Sequence, residues 1–123
     1  RDDEVEAIAM ECAMNYERAA GRTPKDVSKD NMGYDIRSED EHSQKYYIEV
    51  KGRAGTDGVM LSENEVNRLK QLGKKAWLYI VVNCKTEPVL YAFNDPINNM
   101  TFDKQIKGVQ FYLPLEEWQS KLN

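Results

Sequence analysis

Histidine, cysteine and long apolar runs are scarce in this 123-residue chain, and each scarcity excludes a class of site. One histidine, His42, and two cysteines, Cys12 and Cys84, form no C-x-x-C pair and do not make up the four ligands of a structural zinc site. We expect both thiols to be reduced and partly buried, as is usual in a cytoplasmic protein. No apolar run approaches the roughly 20 residues of a membrane-spanning helix, so we expect no membrane partner.

The chain also lacks a glycine-rich phosphate-binding loop, so we expect no nucleotide hydrolysis by this domain alone. Its length fits one compact domain over residues 1–123, and the absence of an initiator methionine and of a signal-peptide pattern predicts a piece of a larger protein. The net charge of -4 argues against a general polyanion-binding surface but leaves room for a locally basic one. Several cations lie in or near the segments that would surround the strand acids discussed below, and these are Lys25, Lys29, Arg37, Lys51, Arg53, Arg68, Lys70, Lys74 and Lys75.

Apolar residues recur at helical spacing over residues 3–20 and predict a first helix that ends at Gly21. Residues 33–38 and 45–52 are typical of two strands joined by a polar loop, while residues 25–32 are typical of a polar connection. Ser62 and Glu65 form a capping-box pattern that predicts a second helix.

The second half of the chain adds further strands. Residues 76–84 are almost continuously apolar, which is typical of a central strand covered on both faces. The helix before them is a plausible crossover, which predicts that the 45–52 and 76–84 strands lie parallel. Residues 89–93 and 109–113 favour two more strands, with a turn at Asp95-Pro96 and a terminal helix whose first residue is Pro114. We therefore predict an α/β fold in which helices flank one mixed sheet.

Two of the predicted strands place acids among apolar residues, and the second adds a lysine two positions later. Because successive side chains of a strand point to opposite faces, Glu49 and Lys51 share one face. In the first strand we expect Tyr34 and Ile36 to share a face, which leaves Asp35 on the other. Two carboxylates and a lysine then meet on one side of the sheet.

This grouping suits metal-dependent cleavage of a phosphodiester. Magnesium binds hard oxygen ligands and retains several waters, so we expect Asp35 and Glu49 to supply one oxygen each and the carbonyl of Val50 a third. A bound metal polarises the phosphate and lowers the pKa of a water, while Lys51 would orient that water or offset charge in the transition state. The plainer alternative is a solvated strand face with no chemistry.

An ordered set of motifs also resembles a known family. Asp35, thirteen intervening residues and Glu49-Val50-Lys51 resemble the signature of PD-(D/E)xK nucleases, with Tyr34 where that signature has proline. More narrowly, the chain is similar to the NO VEIN C-terminal-like family, whose domains are typically appended to bacterial helicases or restriction-type proteins. That similarity is carried by Tyr16-Glu17-Arg18, residues 21–28, Gly33-Tyr34-Asp35-Ile36, residues 48–53, Leu61-Ser62-Glu63-Asn64-Glu65 and Asp95-Pro96.

The resemblance implies a restriction-endonuclease-like fold and a DNA endonuclease that depends on Mg²⁺ or Mn²⁺. Its catalytic residues would be Asp35, Glu49, Lys51 and a glutamate of the first helix, which often joins the metal site in that superfamily. Glu17 is the first choice and Glu11 the second, and either is equally explained as a solvated helix residue. The implied partners are DNA, a helicase or other domains of the parent protein, and a second copy in a homodimer.

Two alternatives from other classes stay open. The same fold could serve as a non-catalytic module that binds nucleic acid or protein, which the acidic net charge favours mildly, or as a purely structural domain. Among neighbouring residues, Glu65 could extend the site, although the capping box alone accounts for it. Tyr46 and Tyr47 could stack on bases, although aromatic residues in strands more often pack on the sheet.

Overall fold

A computed structural model describes residues 2–105 and 110–122 of the chain. They form two sheets with flanking helices, which confirms the predicted α/β class. No helix within these residues is long and apolar enough to cross a bilayer. In chain order the elements are α1 (Asp3–Ala19), β1 (Thr23–Asp26), β2 (Ile36–Glu39), β3 (Lys45–Gly52), β4 (Val59–Ser62), α2 (Glu63–Leu72), a 3₁₀ turn (Gly73–Lys75), β5 (Ala76–Val82), β6 (Val89–Asn94), α3 (Pro96–Asn99), β7 (Asp103–Gln105), β8 (Gln110–Leu113) and α4 (Leu115–Ser120).

The larger sheet has five strands in the order β1-β2-β3-β5-β6, so β3 lies at its centre. β3 pairs with β2 in antiparallel fashion and with β5 in parallel, which confirms the predicted parallel pairing. The smaller sheet has three strands in the order β4-β8-β7, and the expectation of a single mixed sheet missed it.

The two faces of the larger sheet are covered by different elements. α1 packs on one face, where its residues Val5, Ala9 and Ala13 join a buried cluster with residues of β2, β3 and β5. On the other face α2, α4 and the smaller sheet bury a second cluster around Leu78, Ile80 and other residues of β5 and β6. The continuous apolar character of β5 follows from this position, because both of its faces are buried.

The second helix begins as its sequence predicts. The Ser62 side chain accepts a hydrogen bond from the backbone N–H of Glu65, and the Glu65 carboxylate accepts one from the N–H of Ser62. The helix ends before Gly73, as expected.

β1 occupies residues that were predicted to form a connection, and Pro24 lies within it. A proline is tolerated there because β1 is an edge strand that pairs only with β2. The pattern of this strand gives no hydrophobic signal, since three of its four residues are exposed.

β2 begins three residues later than predicted, at Ile36, because residues 32–35 bend. Gly33 in this bend has a φ of +83°, and a Cβ there would lie 2.8 Å from the Cβ of Arg68, so only glycine fits without strain. The bend breaks the strand alternation. Tyr34 therefore does not share the face of Ile36, as was predicted, and instead lies edge-on to Tyr47 with ring centroids 5.1 Å apart.

The C-terminal elements differ from expectation in detail. Pro96 begins α3 where a turn was predicted, and Pro114 is the N-cap of α4 rather than its first residue. The strand predicted over 109–113 corresponds to β8, while Val109 lies outside the described residues. β7 was not predicted, because its three residues are exposed and polar.

Gly52, at the end of β3, lets α1 approach the sheet closely. A Cβ at Gly52 would lie 2.7 Å from the Cβ of Ala9 and 3.1 Å from the carbonyl oxygen of Val5. We expect Gly52→Ala to lower the free energy of unfolding by about 2 kcal/mol, because the new methyl group overpacks this contact. Gly55→Ala is the matched control, since a Cβ at Gly55 would have nothing within 4 Å. Urea denaturation of both variants would measure the difference, and equal losses would contradict the close packing.

Candidate functional site

A cleft of about 880 Å³ opens at the end of β3, between the first turns of α1 and the bend that precedes β2. Gly52 and Val50 form part of its floor. Its lining is rich in ionisable side chains, and these are Asp3, Glu6, Asp26, Lys29, Asp35, Glu49, Lys51 and Glu65. The predicted trio of Asp35, Glu49 and Lys51 therefore lies in one cleft, while the chemical roles of the three residues stay predictions.

Backbone hydrogen bonds hold Asp35 on two sides. Its N–H donates to the carbonyl of Ile48 at 2.9 Å, and its own carbonyl accepts from the N–H of Val27 at 2.8 Å. Its carboxylate accepts a third bond, from the N–H of Val50 at 2.8 Å. The bend before β2 is thereby tied to β3, and the Asp35 carboxylate is fixed beside the central strand.

Glu49 and Lys51 lie side by side on the face of β3 that α2 approaches. Glu49 is only 2% exposed, and the Lys51 ammonium lies 3.2 Å from its carboxylate. Lys51 also contacts Glu65 of α2 at 3.0 Å. Glu65 therefore serves both in the capping box and in the cleft, whereas the sequence pattern favoured the capping role alone.

The cleft shifts the pKa values of its acids in opposite directions. Burial, followed by the nearby charge of Asp35, raises the pKa of Glu49 well above its usual range. Burial also raises the pKa of Asp35, against the opposing effects of the Val50 N–H and Lys51. The pKa of Glu65 is lowered, because Lys51 and its hydrogen bonds outweigh the effect of burial.

Lys51 keeps its charge in this setting. Burial acts to lower its pKa, but the carboxylates of Glu49 and Glu65 outweigh that effect and the pKa is raised. The cleft therefore combines a permanently charged ammonium with a carboxyl group, Glu49, that resists ionisation.

The structure does not bring Glu17 to the cleft. Glu17 lies on the last turn of α1, fully buried, where its carboxylate accepts hydrogen bonds from Arg22, at 2.8 Å from one guanidinium nitrogen, and from the Tyr79 hydroxyl. Its distance along the helix from Glu6, which does line the cleft, is roughly 16 Å at 1.5 Å per residue. Glu11 is exposed and does not line the cleft either, so neither predicted helix glutamate belongs to it.

The acids of α1 that line the cleft are Asp3 and Glu6, which were not singled out from the sequence. A signal was present in the helix pattern. Residues 3, 6 and 10 form a stripe beside the buried stripe of Val5 and Ala9, and Gly52 identifies the end of β3 that this part of α1 contacts.

The position of Glu17 predicts a structural role that can be separated from the cleft. We expect Glu17→Ala to lower the free energy of unfolding by about 3 kcal/mol, because it leaves the partly buried Arg22 and the buried Tyr79 without their shared partner. Glu11→Ala, the exposed control, should be close to neutral. Melting temperatures with and without Mg²⁺ would test whether Glu17 acts apart from the cleft. A metal-induced shift that is present in wild type and in Glu11→Ala but absent in Glu17→Ala would contradict a purely structural role of Glu17.

The raised pKa of Glu49 predicts a pH dependence of stability. The folded state holds this proton more tightly than the unfolded chain, so the stabilisation is full below the usual value of 4.5 and is lost as pH rises through the raised value. Glu49→Gln removes the ionisable group. We expect the unfolding free energy of this variant to fall less steeply with rising pH than that of wild type, by up to about 1.4 kcal/mol per pH unit. Urea denaturation from pH 4 to pH 9 in chelator would measure this.

The exposed Glu63 provides an isosteric control for this experiment. Glu63→Gln should follow the wild-type pH profile, because its side chain remains in water. Parallel profiles for Glu49→Gln and wild type would contradict a strongly perturbed Glu49.

Within residues 2–105 and 110–122, no group of three or more His, Cys, Asp or Glu side chains is arranged to hold a metal ion. The donors predicted for magnesium are fewer, namely the carboxylates of Asp35 and Glu49 and the carbonyl of Val50, and all three residues line the cleft. Two carboxylates are enough for Mg²⁺, which is commonly held by one or two of them together with water and substrate phosphate.

Comparisons with known proteins agree with one part of the resemblance. The model of a family described as Protein NO VEIN, C-terminal, matches residues 5–93, which is more than half of the chain. This span includes α1 except its first two residues, the whole larger sheet except the last residue of β6, and every ionisable residue of the cleft except Asp3. The curated proteins and the solved structures yielded no match. Membership of the wider PD-(D/E)xK superfamily stays a prediction.

Proposed function

Since this chain belongs to the NO VEIN C-terminal family, and since its acids and lysine share a cleft, we propose that it is a metal-dependent nuclease domain that hydrolyses phosphodiester bonds in DNA. The observation that carries the proposal is the nearly complete burial of Glu49 beside Lys51 at the floor of an open cleft. A buried carboxyl group destabilises a fold, and an apolar residue would serve a central strand better. Strongly perturbed ionisable groups in a cleft are typical of functional sites.

The residues of the cleft fit a divalent cation such as Mg²⁺ or Mn²⁺. Asp35 and Glu49 would hold it with carboxylate oxygens and Val50 with its carbonyl, all of them hard donors. Burial raises the pKa of both carboxyl groups, and the charge of Asp35 raises that of Glu49 further; a cation beside them would favour the ionised form of each. When bound, such a cation polarises a phosphate and lowers the pKa of a bound water.

The protein's own residues would contribute position and charge. The hydrogen bond from Val50 holds the Asp35 carboxylate in one orientation, which limits the entropy lost when a ligand binds. Lys51 offers ammonium hydrogens to a phosphate oxygen or to an attacking water, and its charge would stabilise the extra negative charge of the transition state. Glu65 holds the Lys51 ammonium from the side of α2, so that the ammonium stays at the cleft.

A cleavage assay tests the proposal. We expect the purified chain to cut supercoiled plasmid or single-stranded DNA in Mg²⁺ or Mn²⁺ and not in chelator. Asp35→Asn and Lys51→Met should each reduce the rate by at least roughly 100-fold, because each removes a preorganised group from the reacting phosphate. Asp103→Asn and Lys104→Met, on the exposed β7, are matched changes of the same type that should leave the rate unchanged.

Cleavage that survives in chelator, or that is equal in Asp35→Asn and wild type, would contradict the assignment. Absence of cleavage together with no metal-induced change in melting temperature would favour the alternative, a non-catalytic module that binds nucleic acid or protein. A metal-induced shift that Asp35→Asn abolishes, without cleavage, would show that Asp35 contributes to cation binding while the substrate or partner domain is still missing.

A further inference from the structure

Part of the sheet face that carries Glu49 is not covered by the core. The buried cluster on this face contains residues of β5, β6, α2, α4 and the smaller sheet, and within the described residues it includes no residue of β1 or β2. The side chains of β1 and β2 on this face are Thr23, Lys25, Arg37 and Glu39, and all of them are exposed or partly exposed. Lys25 and Arg37 are the cations among them, and they lie on the same face of the sheet as Glu49 and Lys51.

A single row across the sheet joins these cations to an aromatic ring. Lys25 is paired with Arg37 across β1 and β2, and Arg37 is paired with Tyr47 across β2 and β3. Residues that are paired in this way point to the same face. We call Lys25, Arg37 and Tyr47 the basic row. Adjacent strands are about 4.8 Å apart, so the row is roughly 10 Å long.

The two cations of the basic row lie at paired positions on neighbouring strands. Like charges directly opposite each other on neighbouring strands are destabilising. Among residues 2–105 and 110–122, neither side chain forms an ion pair or a hydrogen bond. The neighbouring row differs, because Lys45 there pairs with Glu39 at 2.8 Å. An anionic ligand at this place would supply a counterion to both Lys25 and Arg37.

Tyr47 is held in place at the end of the row that is nearer to the acids. Its ring lies edge-on to Tyr34, whose own ring is approached by the Arg68 guanidinium at 5.8 Å from the centroid. Tyr47 is partly exposed, so part of its surface remains accessible. Because it precedes Glu49 by two residues on the same face, the two side chains are about 7 Å apart along β3.

We propose that the basic row binds an unpaired nucleic-acid strand, with phosphates at Lys25 and Arg37 and a base stacked on Tyr47, and leads that strand to the cleft. This inference rests on the proposed function and narrows its substrate to DNA with a single-stranded segment. Unpaired bases are favoured because stacking on a side chain needs a base face that a duplex keeps covered. Surfaces that bind single strands usually combine cations, which contact phosphates, with aromatic rings on which bases stack.

A binding assay in chelator tests the inference apart from cleavage. The whole 123-residue chain is titrated into a fluorescein-labelled 20-nucleotide dT strand, and into a matched 20-base-pair duplex, with fluorescence anisotropy as the readout. We expect the single strand to bind more tightly. Lys25→Ala/Arg37→Ala should weaken that binding by about tenfold or more at 0.15 M salt and reduce the slope of log K against log salt. Tyr47→Leu should weaken it by roughly tenfold with an unchanged slope.

The matched control is Lys104→Ala/Lys121→Ala, which removes the same charge from the exposed β7 and from the end of α4. We expect it to bind as wild type does, and circular dichroism melts would establish that every variant is folded. Equal binding by the row variants and wild type would overturn the inference, as would equal losses in the control or tighter binding of the duplex.

This result and the cleavage result are independent. Strand binding that depends on the row, with no cleavage and no metal-induced change in melting temperature, would support the inference and contradict the nuclease. Cleavage that depends on Asp35, with row variants that bind and cut normally, would support the nuclease and overturn the inference.

Discussion

The pairing of β3 on both of its edges is the constraint on which the rest of the structure depends. Because β2 and β5 occupy both edges, the middle residues of the strand, Ile48 to Val50, point alternately to two covered faces. Ile48 is thereby directed to α1, and Glu49 to the face of α2. A carboxyl group in this position is withdrawn from water, and Lys51 and Glu65 are placed where their charges compensate it.

The negative charges of Glu65 and Glu49 in the cleft are compensated to different degrees. The Glu65 carboxylate has a cation and a backbone N–H as partners, so its ionised form is favoured. Glu49 has the same cation but also faces Asp35, and its ionised form is disfavoured. Lys51 thus contacts one acid whose pKa is raised and one whose pKa is lowered. The buried pair of Glu17 and Arg22 at the far end of α1 is different, since each partner there neutralises the other and Tyr79 completes the set.

The sequence predicted those features that depend on local pattern. The capping box of α2, the bounds of β3 and the parallel β3–β5 pairing all follow from short-range signals and were confirmed. The edge strand β1 and the polar β7 were missed, because exposed strands carry little hydrophobic pattern. The grouping of Asp35, Glu49 and Lys51 could be predicted, since it needs only strand alternation. The sequence argument chose between Glu17 and Glu11 and missed Asp3 and Glu6, because the acids of α1 that reach the cleft depend on where the helix crosses the sheet.

The parallel pairing of β3 and β5 also determines when the cleft can form during synthesis of the chain. A parallel neighbour requires a long crossover, here through β4 and α2, so the second edge of β3 is unpaired until residue 82 has been made. Until then the β2–β3 hairpin carries Asp35 and Glu49 on a two-stranded ribbon, which has marginal stability on its own. An emerging chain therefore carries all of the acids of the cleft before β5 completes the sheet around them, and assembly of the cleft is a late, long-range step of folding.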